Sequence, residues 1–324
     1  MPALSPTWSN FPEFIKRDIV ELLDFKSRCS LRICSFADMN LVDTCPIQLK
    51  CLLVTTTTIC QPERIHICLK DPSNRKVINK TVSYSDAVNC FRQLFKNRKS
   101  LVDIIRIDSL KRNDNQLETF LEELLSETKT STDIWKIRTK KLIWRCELER
   151  GIEGFMKNID ENTLKRISIS GIKKDILIDG IANTMQWKGA ESIVIGSACS
   201  IPIEHFFHVS KLNLRVESVN PEDIWKLVQI FQSLNRPAGS DFFISFQKPL
   251  HPKEVLCSFN IAPKNEPVVA HQDQSSHTQR FKMINVANIF VVEIRSNSVF
   301  GAVCRVDSLV EDRLASFTSS QKIM

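Results

Sequence analysis

The chain has 324 residues, 43% of them hydrophobic, which is enough to bury the core of one large domain or two ordinary ones. Its 44 basic and 37 acidic residues leave a formal charge of +7, which implies only a weak attraction to acidic surfaces. Eight glycines argue against glycine-rich phosphate loops, and no apolar run approaches the roughly 18 residues that a membrane span needs.

The first 45 residues predict three short helices. The first begins at residue 12, where Pro12 can occupy the opening turn, and its apolar residues spread over an arc of about 160°. Asp24 can cap the second helix, and the S-x-x-D pair Ser35 and Asp38 starts the third. Pro46 ends the third helix. So short a segment cannot hide this much apolar surface by itself.

The second helix carries apolar side chains on two sides. At a helical period Phe25, Cys29 and Ile33 fall on one stripe, and Leu31 and Cys34 fall on another. A surface helix of a globular domain usually has a single apolar stripe. Either this helix lies in the middle of a core, or one of its faces belongs to a partner chain.

From residue 47 the pattern changes to mixed strands and helices. Residues 62–82 predict a β-hairpin and residues 84–95 an amphipathic helix. Short strands then recur, centred near residues 105, 137, 167, 193, 214 and 244: VDIIRI, IWKIRT, LKRISI, AESIVI, VSKLNL and SDFFIS. Amphipathic helices lie between some of them, at 117–125, 151–159 and 220–234.

Strand followed by helix at a drifting period of 20 to 32 residues is typical of a leucine-rich-repeat solenoid, although the usual asparagine ladder is absent. We therefore predict an α+β protein: an N-terminal three-helix domain, then an irregular leucine-rich-repeat-like α/β domain. An ordinary α/β sandwich is the alternative. Residues 247–279 predict a long loop, three alternating strands near 280–307 predict an antiparallel β cap, and the tail from residue 313 predicts fraying.

The search for catalytic or metal-binding residues finds no convincing set. Glu204, His205 and His208 are close in sequence but do not form the H-E-x-x-H spacing of zinc metalloproteases. The histidines His251, His271 and His277 have no cysteine pair beside them. Six of the eleven cysteines lie between residues 29 and 68, where their spacings never give C-x-x-C. Without a secretory signal the cysteines indicate reduced thiols in the cytoplasm or nucleus. The sequence therefore predicts no enzyme, no metal and no cofactor.

Two basic stretches raise the question of nucleic acid. Residues 96–100 and 137–145 are basic, and Trp135 and Trp144 accompany the second, as a stacking surface would require. Acidic residues at 118–127 intervene, and no aromatic-rich RNA-binding signature occurs. The sequence favours solvated faces over a nucleic-acid site.

The stretch from Trp8 to Val42 resembles the F-box of the large nematode F-box families. It departs from their pattern at Phe11, where Leu or Met is usual, and at Ile33, where Lys is common. The remainder resembles the FTH domain that accompanies these F-boxes, through YSDAVNCFRQLF, VSKLNLRVESVNPEDIWKL and RFKMINVANIFVVEI. The F-box matches are Trp8, Pro12, Ile15, Lys16, Val20, Leu23, Asp24, Phe25, Ser27, Arg28, Cys29, Leu31, Arg32, Cys34, Ser35, Asp38, Leu41 and Val42.

The resemblance implies an F-box at 1–46, an FTH-like substrate-recognition domain at 47–312 and a frayed tail at 313–324. F-box proteins bind the Skp adaptor of a cullin-RING ubiquitin ligase, so the implied partners are a Skp-type adaptor, a cullin through it, and an unknown protein substrate. The alternative is an F-box scaffold or translational regulator that recruits RNA or an RNA-binding protein. We expect Phe25 and Cys29 to pack inward and the adaptor to be bound by Phe11, Pro12, Ile15, Ile19, Val20, Leu23, Leu31 and Cys34, unless all of these pack on residues after 46.

Overall fold

The computed structural model describes residues 7–56, 64–109, 115–130, 136–146, 149–171, 179–199, 202–259 and 276–307. Ten α-helices lie in these ranges: α1 Glu13–Leu22, α2 Phe25–Arg32, α3 Phe36–Thr44, α4 Tyr84–Phe95, α5 Asn115–Thr130, α6 Glu149–Lys157, α7 Asp179–Ala182, α8 Met185–Lys188, α9 Pro221–Ser233 and α10 Pro252–Ser258. Single 3-10 turns occupy Trp8–Asn10 and Ile203–Phe206.

Twelve strands complete the described part of the chain. They are β1 Gln48–Thr56, β2 Arg64–Lys70, β3 Lys76–Ser83, β4 Leu101–Asp108, β5 Thr139–Arg145, β6 Arg166–Ser170, β7 Ser192–Cys199, β8 Lys211–Val216, β9 Asp241–Phe246, β10 His277–Lys282, β11 Asn288–Arg295 and β12 Ser298–Arg305. The chain divides into two compact units, one with α1 to α8 and β1 to β6, the other with β7 to β12, α9 and α10.

The strands of the first unit are ordered β6-β5-β4-β1-β2-β3. Strands β6, β5, β4 and β1 run parallel, while β2 and β3 form an antiparallel hairpin beside β1. The parallel strands have one buried side, where Trp144 of β5 lies 6.0 Å from Phe155 of α6 and Phe91 of α4 lies 5.9 Å from Phe120 of α5, measured between ring centroids. Because side chains alternate along a strand, the neighbours of Trp144 lie on the other side of the sheet.

The second unit has the strand order β7-β8-β9-β12-β11-β10. Strands β7 to β9 are parallel, and β12, β11 and β10 add in antiparallel pairs. Its core contains the rings of Phe231, Phe242 and Phe290, whose centroids lie 5.2 to 6.0 Å apart. A Cβ on Gly301 of β12 would overlap the Phe242 ring, so the absence of a side chain there lets the ring pack against the sheet.

The coarse prediction, three N-terminal helices followed by mixed α/β structure, is confirmed. The hairpin within 62–82 is present as β2 and β3, and the helices predicted at 84–95, 117–125, 151–159 and 220–234 are present as α4, α5, α6 and α9. The leucine-rich-repeat-like interpretation, the antiparallel cap and the boundaries 1–46 and 47–312 stay predictions. The tail 313–324 lies outside the described residues.

Two predicted elements are wrong, and strand β1 has no counterpart among the predicted strands. The strand centred near residue 137 lies instead at Thr139–Arg145, because this segment pairs with β4 whereas Ile137, although also buried, makes only an isolated bridge with Ile159. The loop predicted at 247–279 contains α10, which His251 caps by accepting the N–H of Lys253 at 3.2 Å; residues 260–275 of that loop lie outside the described part.

Candidate functional site

The three N-terminal helices are held in place by side chains that bond to backbone and to each other. Asp24 accepts the N–H of Ser27 at 2.7 Å, and Ser35 accepts the N–H of Asp38 at 3.0 Å, so both predicted caps form. The Asp38 carboxylate also accepts hydrogen bonds from the Ser35 hydroxyl and the Trp8 indole N–H, each at 2.7 Å. These two hydrogen bonds lower the pKa of Asp38. The carboxylate thereby joins the segment before α1 to the first turn of α3.

Arg28 is the buried polar centre of this module. Its guanidinium donates to three backbone carbonyls: Leu23 at 3.1 Å, Pro46 at 2.6 Å and Glu21 at 2.8 Å. Burial of the charge lowers the pKa of Arg28. Only arginine offers this many donors in a rigid plane, so the side chain fixes the end of α1 against Pro46, two residues after α3.

A second arginine connects α2 to α3 and, through a shared acid, to α4. Arg32 binds Asp43 through two contacts, at 2.7 and 3.3 Å, and Lys96 after α4 approaches the same carboxylate at 3.5 Å. Burial would raise the pKa of Asp43, but the hydrogen bond and charge of Arg32 outweigh burial and lower it. Asp43 is therefore ionised and shared between the two cations.

The core of the module is small and contradicts one predicted site residue. Val20 has no exposed surface and packs with Leu41, Val42 and Cys45, against which Trp8 and Leu31 also pack. The sequence placed Val20 on the adaptor-facing surface, but it lies between α1 and α3. A side chain in that position cannot contact a partner without unfolding the module.

The two apolar stripes of α2 have different neighbours, which shows why this helix carries apolar side chains on two sides. Leu31 packs on the core of the module. Phe25 and Cys29 line a cavity of about 190 Å³ together with Cys90 and Leu94 of α4. Cys29 keeps an exposed side chain while facing this cavity. The stripe that contains Phe25 and Cys29 is thus directed towards a later helix of the same unit at these two residues, whereas its third member, Ile33, is exposed.

The module nevertheless presents large apolar side chains to solvent. Phe14 is 67% exposed, Leu22 87%, Ile33 84% and Phe36 74%, and we call these four residues the exposed apolar set. Phe14 and Leu22 are eight residues apart on α1, about 80° around the helix. Ile33 and Phe36 flank the short connection between α2 and α3. Isolated exposed apolar residues are ordinary, but four on so small a module are typical of an interaction site.

Most of the predicted adaptor-facing residues are less exposed to solvent than the exposed apolar set. Pro12 and Cys34 are exposed, and five others are half-buried: Phe11, Ile15, Ile19, Leu23 and Leu31. None of the exposed apolar set is among the predicted adaptor-facing residues. The signal available for Leu22 was its position at one edge of the wide apolar arc of α1, for Phe14 its position about 80° outside that arc, and for Ile33 its departure from the usual lysine.

The other exposed large apolar side chains of the described residues are Met185, Leu234, Ile284, Val286 and Val306. The last four lie in neighbouring segments of the second unit, which are joined where the N–H of Asn285 donates to Asn235 at 3.1 Å and the N–H of Val306 donates to the carbonyl of Ala287 at 2.9 Å. We call Leu234, Ile284, Val286 and Val306 the corner patch. The corner patch is apolar and exposed like the exposed apolar set, so it can serve as a control surface for it.

Two of the side chains considered as metal ligands have other partners: Glu204 binds Lys226 at 3.1 Å and His251 caps α10. His277 begins β10, and His271 lies outside the described residues. Within the ranges that the structure describes, no group of three or more His, Cys, Asp or Glu side chains is arranged to hold a metal ion. In the same ranges no helix has the length and apolar content required to cross a membrane.

Cys90, which lines the cavity beneath α2, should react more slowly with alkylating reagents than the exposed cysteines do. Burial raises the pKa of Cys90 to about 11, so at pH 8 about one thiol in a thousand is ionised, against about one in four for an ordinary thiol with a pKa of about 8.5. We expect iodoacetamide to modify Cys90 at least about 100-fold more slowly than the exposed Cys34 or Cys257. Site-resolved mass spectrometry over a pH series measures this, and the Cys90 rate should keep rising above pH 9. Equal rates at the three sites would contradict the buried environment.

Two comparisons with known proteins bear on this chain. Residues 118–262 match the FTH domain family. F-box A protein 224 of Caenorhabditis elegans is 26% identical over 182 residues, an alignment that covers 54% of this chain and 45% of that relative. The chain therefore spans less than half of the relative's length. No solved structure matches the chain. Together the two matches confirm the resemblance to nematode F-box proteins with an FTH domain.

Proposed function

We propose that this chain, a relative of nematode F-box proteins that carry an FTH domain, is a substrate-receptor subunit of an SCF (Skp, cullin, F-box) ubiquitin ligase. Its three N-terminal helices bind a Skp-type adaptor, which brings the cullin, and the domain after them presents a protein substrate. The chain itself is not a catalyst in this proposal. Its place of action is the cytoplasm, the nucleus or both.

The observation that carries the proposal is the exposed apolar set. Burying a side chain of this size is worth roughly 1.5–3 kcal/mol, so leaving four of them in water costs several kcal/mol that a partner can recover. The frame that carries them is fixed by Arg28, by the Asp38 hydrogen bonds and by the pairing of Arg32 with Asp43. A surface that is already ordered loses little conformational entropy when it binds.

The adaptor-binding surface that we propose differs from the sequence prediction in the residues at its centre. It contains the exposed apolar set together with the exposed Pro12 and Cys34, with Phe11, Ile15, Ile19, Leu23 and Leu31 supporting it from half-buried positions. Val20 is excluded because it is a core residue. The hot spots of an interface are usually a few large side chains, and the phenylalanines and Leu22 fit that description.

We further propose that residues 1–46 form the F-box and that 47–312 form the substrate domain. The parallel strands with intervening helices support a leucine-rich-repeat-like interpretation, and β10 to β12 serve as its antiparallel cap. The match of 118–262 to the FTH domain lies inside the proposed second domain.

The recruitment of RNA receives less support. The basic stretch 137–145 would need an accessible aromatic ring for stacking, but Trp144 is buried against α6. Trp135, the other ring considered for stacking, lies outside the described residues. Lys140 of the same stretch is paired with Asp103 at 2.8 Å.

The proposal is tested by reconstitution of the full chain with purified Skp-type adaptor and cullin. We expect the chain and adaptor to elute as a stoichiometric complex from a sizing column at micromolar concentration, and the cullin to join only when the adaptor is present. Separate elution of chain and adaptor at that concentration would contradict the proposal, as would direct binding of the cullin to the chain without the adaptor.

A further inference from the structure

Strands β4, β5 and β6 present a regular surface on the side away from the helices. Their pairing aligns three rows across the sheet: Ile104, Lys141 and Arg166; Arg106, Ile143 and Ser168; and Asp108, Arg145 and Ser170. All nine side chains are half-buried or exposed, whereas the alternating residues on the helix side are buried. We call these nine residues the open sheet face.

Three cations on this face have no acidic partner in the described part of the chain. Lys141, Arg145 and Arg166 make no ion pair or side-chain hydrogen bond among those residues, although they are neighbours through the strand register. Partial burial, together with the charges of Arg166 and Arg145, lowers the pKa of Lys141. Like charges held this close on a rigid sheet repel one another, and an anion placed between them would relieve that repulsion.

The nearest acidic residues are already engaged. Asp108, beside Arg145 in the register, accepts a hydrogen bond from Arg106 of its own strand at 2.7 Å. Asp103 lies between two lysines, Lys50 at 3.3 Å and Lys140 at 2.8 Å. The three cations therefore leave a net positive charge on the open sheet face that the described residues do not neutralise.

The chemistry around the cations favours a protein segment over a nucleic acid. Ile104 and Ile143 lie between the charged side chains in the rows, and Leu53 of β1 continues the second row beside Arg106. All three aliphatic side chains are half-buried. None of the nine residues is aromatic, so the face has no ring on which a base could stack. A peptide that alternates acidic and aliphatic side chains would match both components of the surface.

We infer that the open sheet face binds an acidic segment of the substrate protein, with carboxylates placed against Lys141, Arg145 and Arg166 and aliphatic side chains against Ile104 and Ile143. This inference rests on the proposed function, because it supplies the substrate class that the receptor recognises. It places substrate recognition on the same unit as the adaptor-binding helices.

The test uses the full chain and a fluorescent peptide of about ten residues that alternates glutamate and leucine. A glutamine–leucine peptide of the same length and an oligouridylate of the same charge are the comparison probes. We expect the glutamate peptide to bind, the glutamine peptide to bind at least about tenfold more weakly, and the affinity for the glutamate peptide to fall with ionic strength.

Charge reversal locates the site. Lys141→Glu combined with Arg166→Glu should weaken glutamate-peptide binding at least about tenfold. Lys80→Glu is the matched control: Lys80 is exposed on β3 and pairs in register with the buried Ile67, and its charge acts on Cys90 of α4, so it lies on the helix side of the sheet. This control should bind the peptide like the unmodified chain.

Three results would overturn the inference: no binding of the glutamate peptide, equal losses in the double variant and in Lys80→Glu, or tighter binding of the oligouridylate that the double variant abolishes. Adaptor binding is measured in parallel on the same samples, and the double variant should retain it. If the unmodified chain fails to bind the adaptor, the proposed function fails, whatever the peptide does. If adaptor binding is intact and the peptide does not bind, only the substrate class is wrong.

Discussion

Leu22→Asp should weaken the binding of a Skp-type adaptor at least about 30-fold, which corresponds to about 2 kcal/mol. Leu22 is 87% exposed at the end of α1, so an aspartate there meets water in the free protein and the fold should be unchanged. In the complex the carboxylate would be desolvated against an apolar partner surface. Phe36→Asp, at the start of α3, should have an effect of the same size. Titration calorimetry with purified adaptor measures both variants.

Val286→Asp in the corner patch is the matched control, because Val286 is also 87% exposed and receives the same charge. It should bind the adaptor like the unmodified chain. Adaptor binding within threefold of the unmodified value for both Leu22→Asp and Phe36→Asp, with the helices intact by circular dichroism, would remove the exposed apolar set from the interface. Val20→Asp cannot serve in this experiment, since it would bury a charge in the core of the module.

Arg28→Met should destabilise the three-helix module by about 3 kcal/mol or more. The methionine keeps much of the apolar stem, but the carbonyls of Glu21, Leu23 and Pro46 lose their charged donor, and hydrogen bonds to charged groups contribute roughly 1.5–3 kcal/mol each. Arg28→Lys should recover only part of the loss, because one ammonium group cannot reproduce the planar array of donors. Because a chain with two compact units need not unfold in one step, hydrogen exchange of the amides in α1 to α3 is the suitable measurement.

Arg17→Met supplies the comparison for Arg28. Arg17 lies on exposed α1 and its one ion pair, with Glu13, has a separation of 3.4 Å. Such a pair contributes at most about 0.5 kcal/mol, so exchange in the module should hardly change. If Arg17→Met and Arg28→Met accelerate exchange equally, the buried guanidinium does not stabilise the module.

The local signals of the sequence predicted the helices of the module well, because capping depends on neighbours along the chain. Asp24 and Ser35 cap as expected. Which edge of the α1 arc is buried depends instead on how α3 crosses it. Val20 and Leu22 are two residues apart on that arc, yet one has no exposed surface and the other is the most exposed residue of the set. A single sequence is compatible with the burial of either edge of the arc.

Other features depended on partners that are distant in the chain. An arginine in a short helix usually has a solvated side chain, and the burial of Arg28 follows only once Pro46 is brought beside it. Strand β5 was misplaced because residues 134–144 contain two alternating apolar pairs. Ile137 is buried like Leu142 and Trp144, so burial does not decide between the two pairs; the pairing of residues 139–145 with β4 decides which segment forms the strand. The cations of the open sheet face likewise become neighbours through the register of β5 and β6.

The junction between the three-helix module and the rest of its unit has a consequence for the proposed ligase role. Asp43 is held by Lys96, the carbonyl of Thr44 accepts the side-chain N–H of Asn97, and the N–H of Ile47 donates to Ser100 at 2.9 Å. These three contacts connect the end of α3 with the residues after α4, so the module cannot swing freely on a linker. A receptor built in this way would hold its bound substrate at a fixed distance and angle from the ubiquitin-loaded conjugating enzyme. Which substrate lysine receives ubiquitin would then depend on the position of that lysine in the substrate protein.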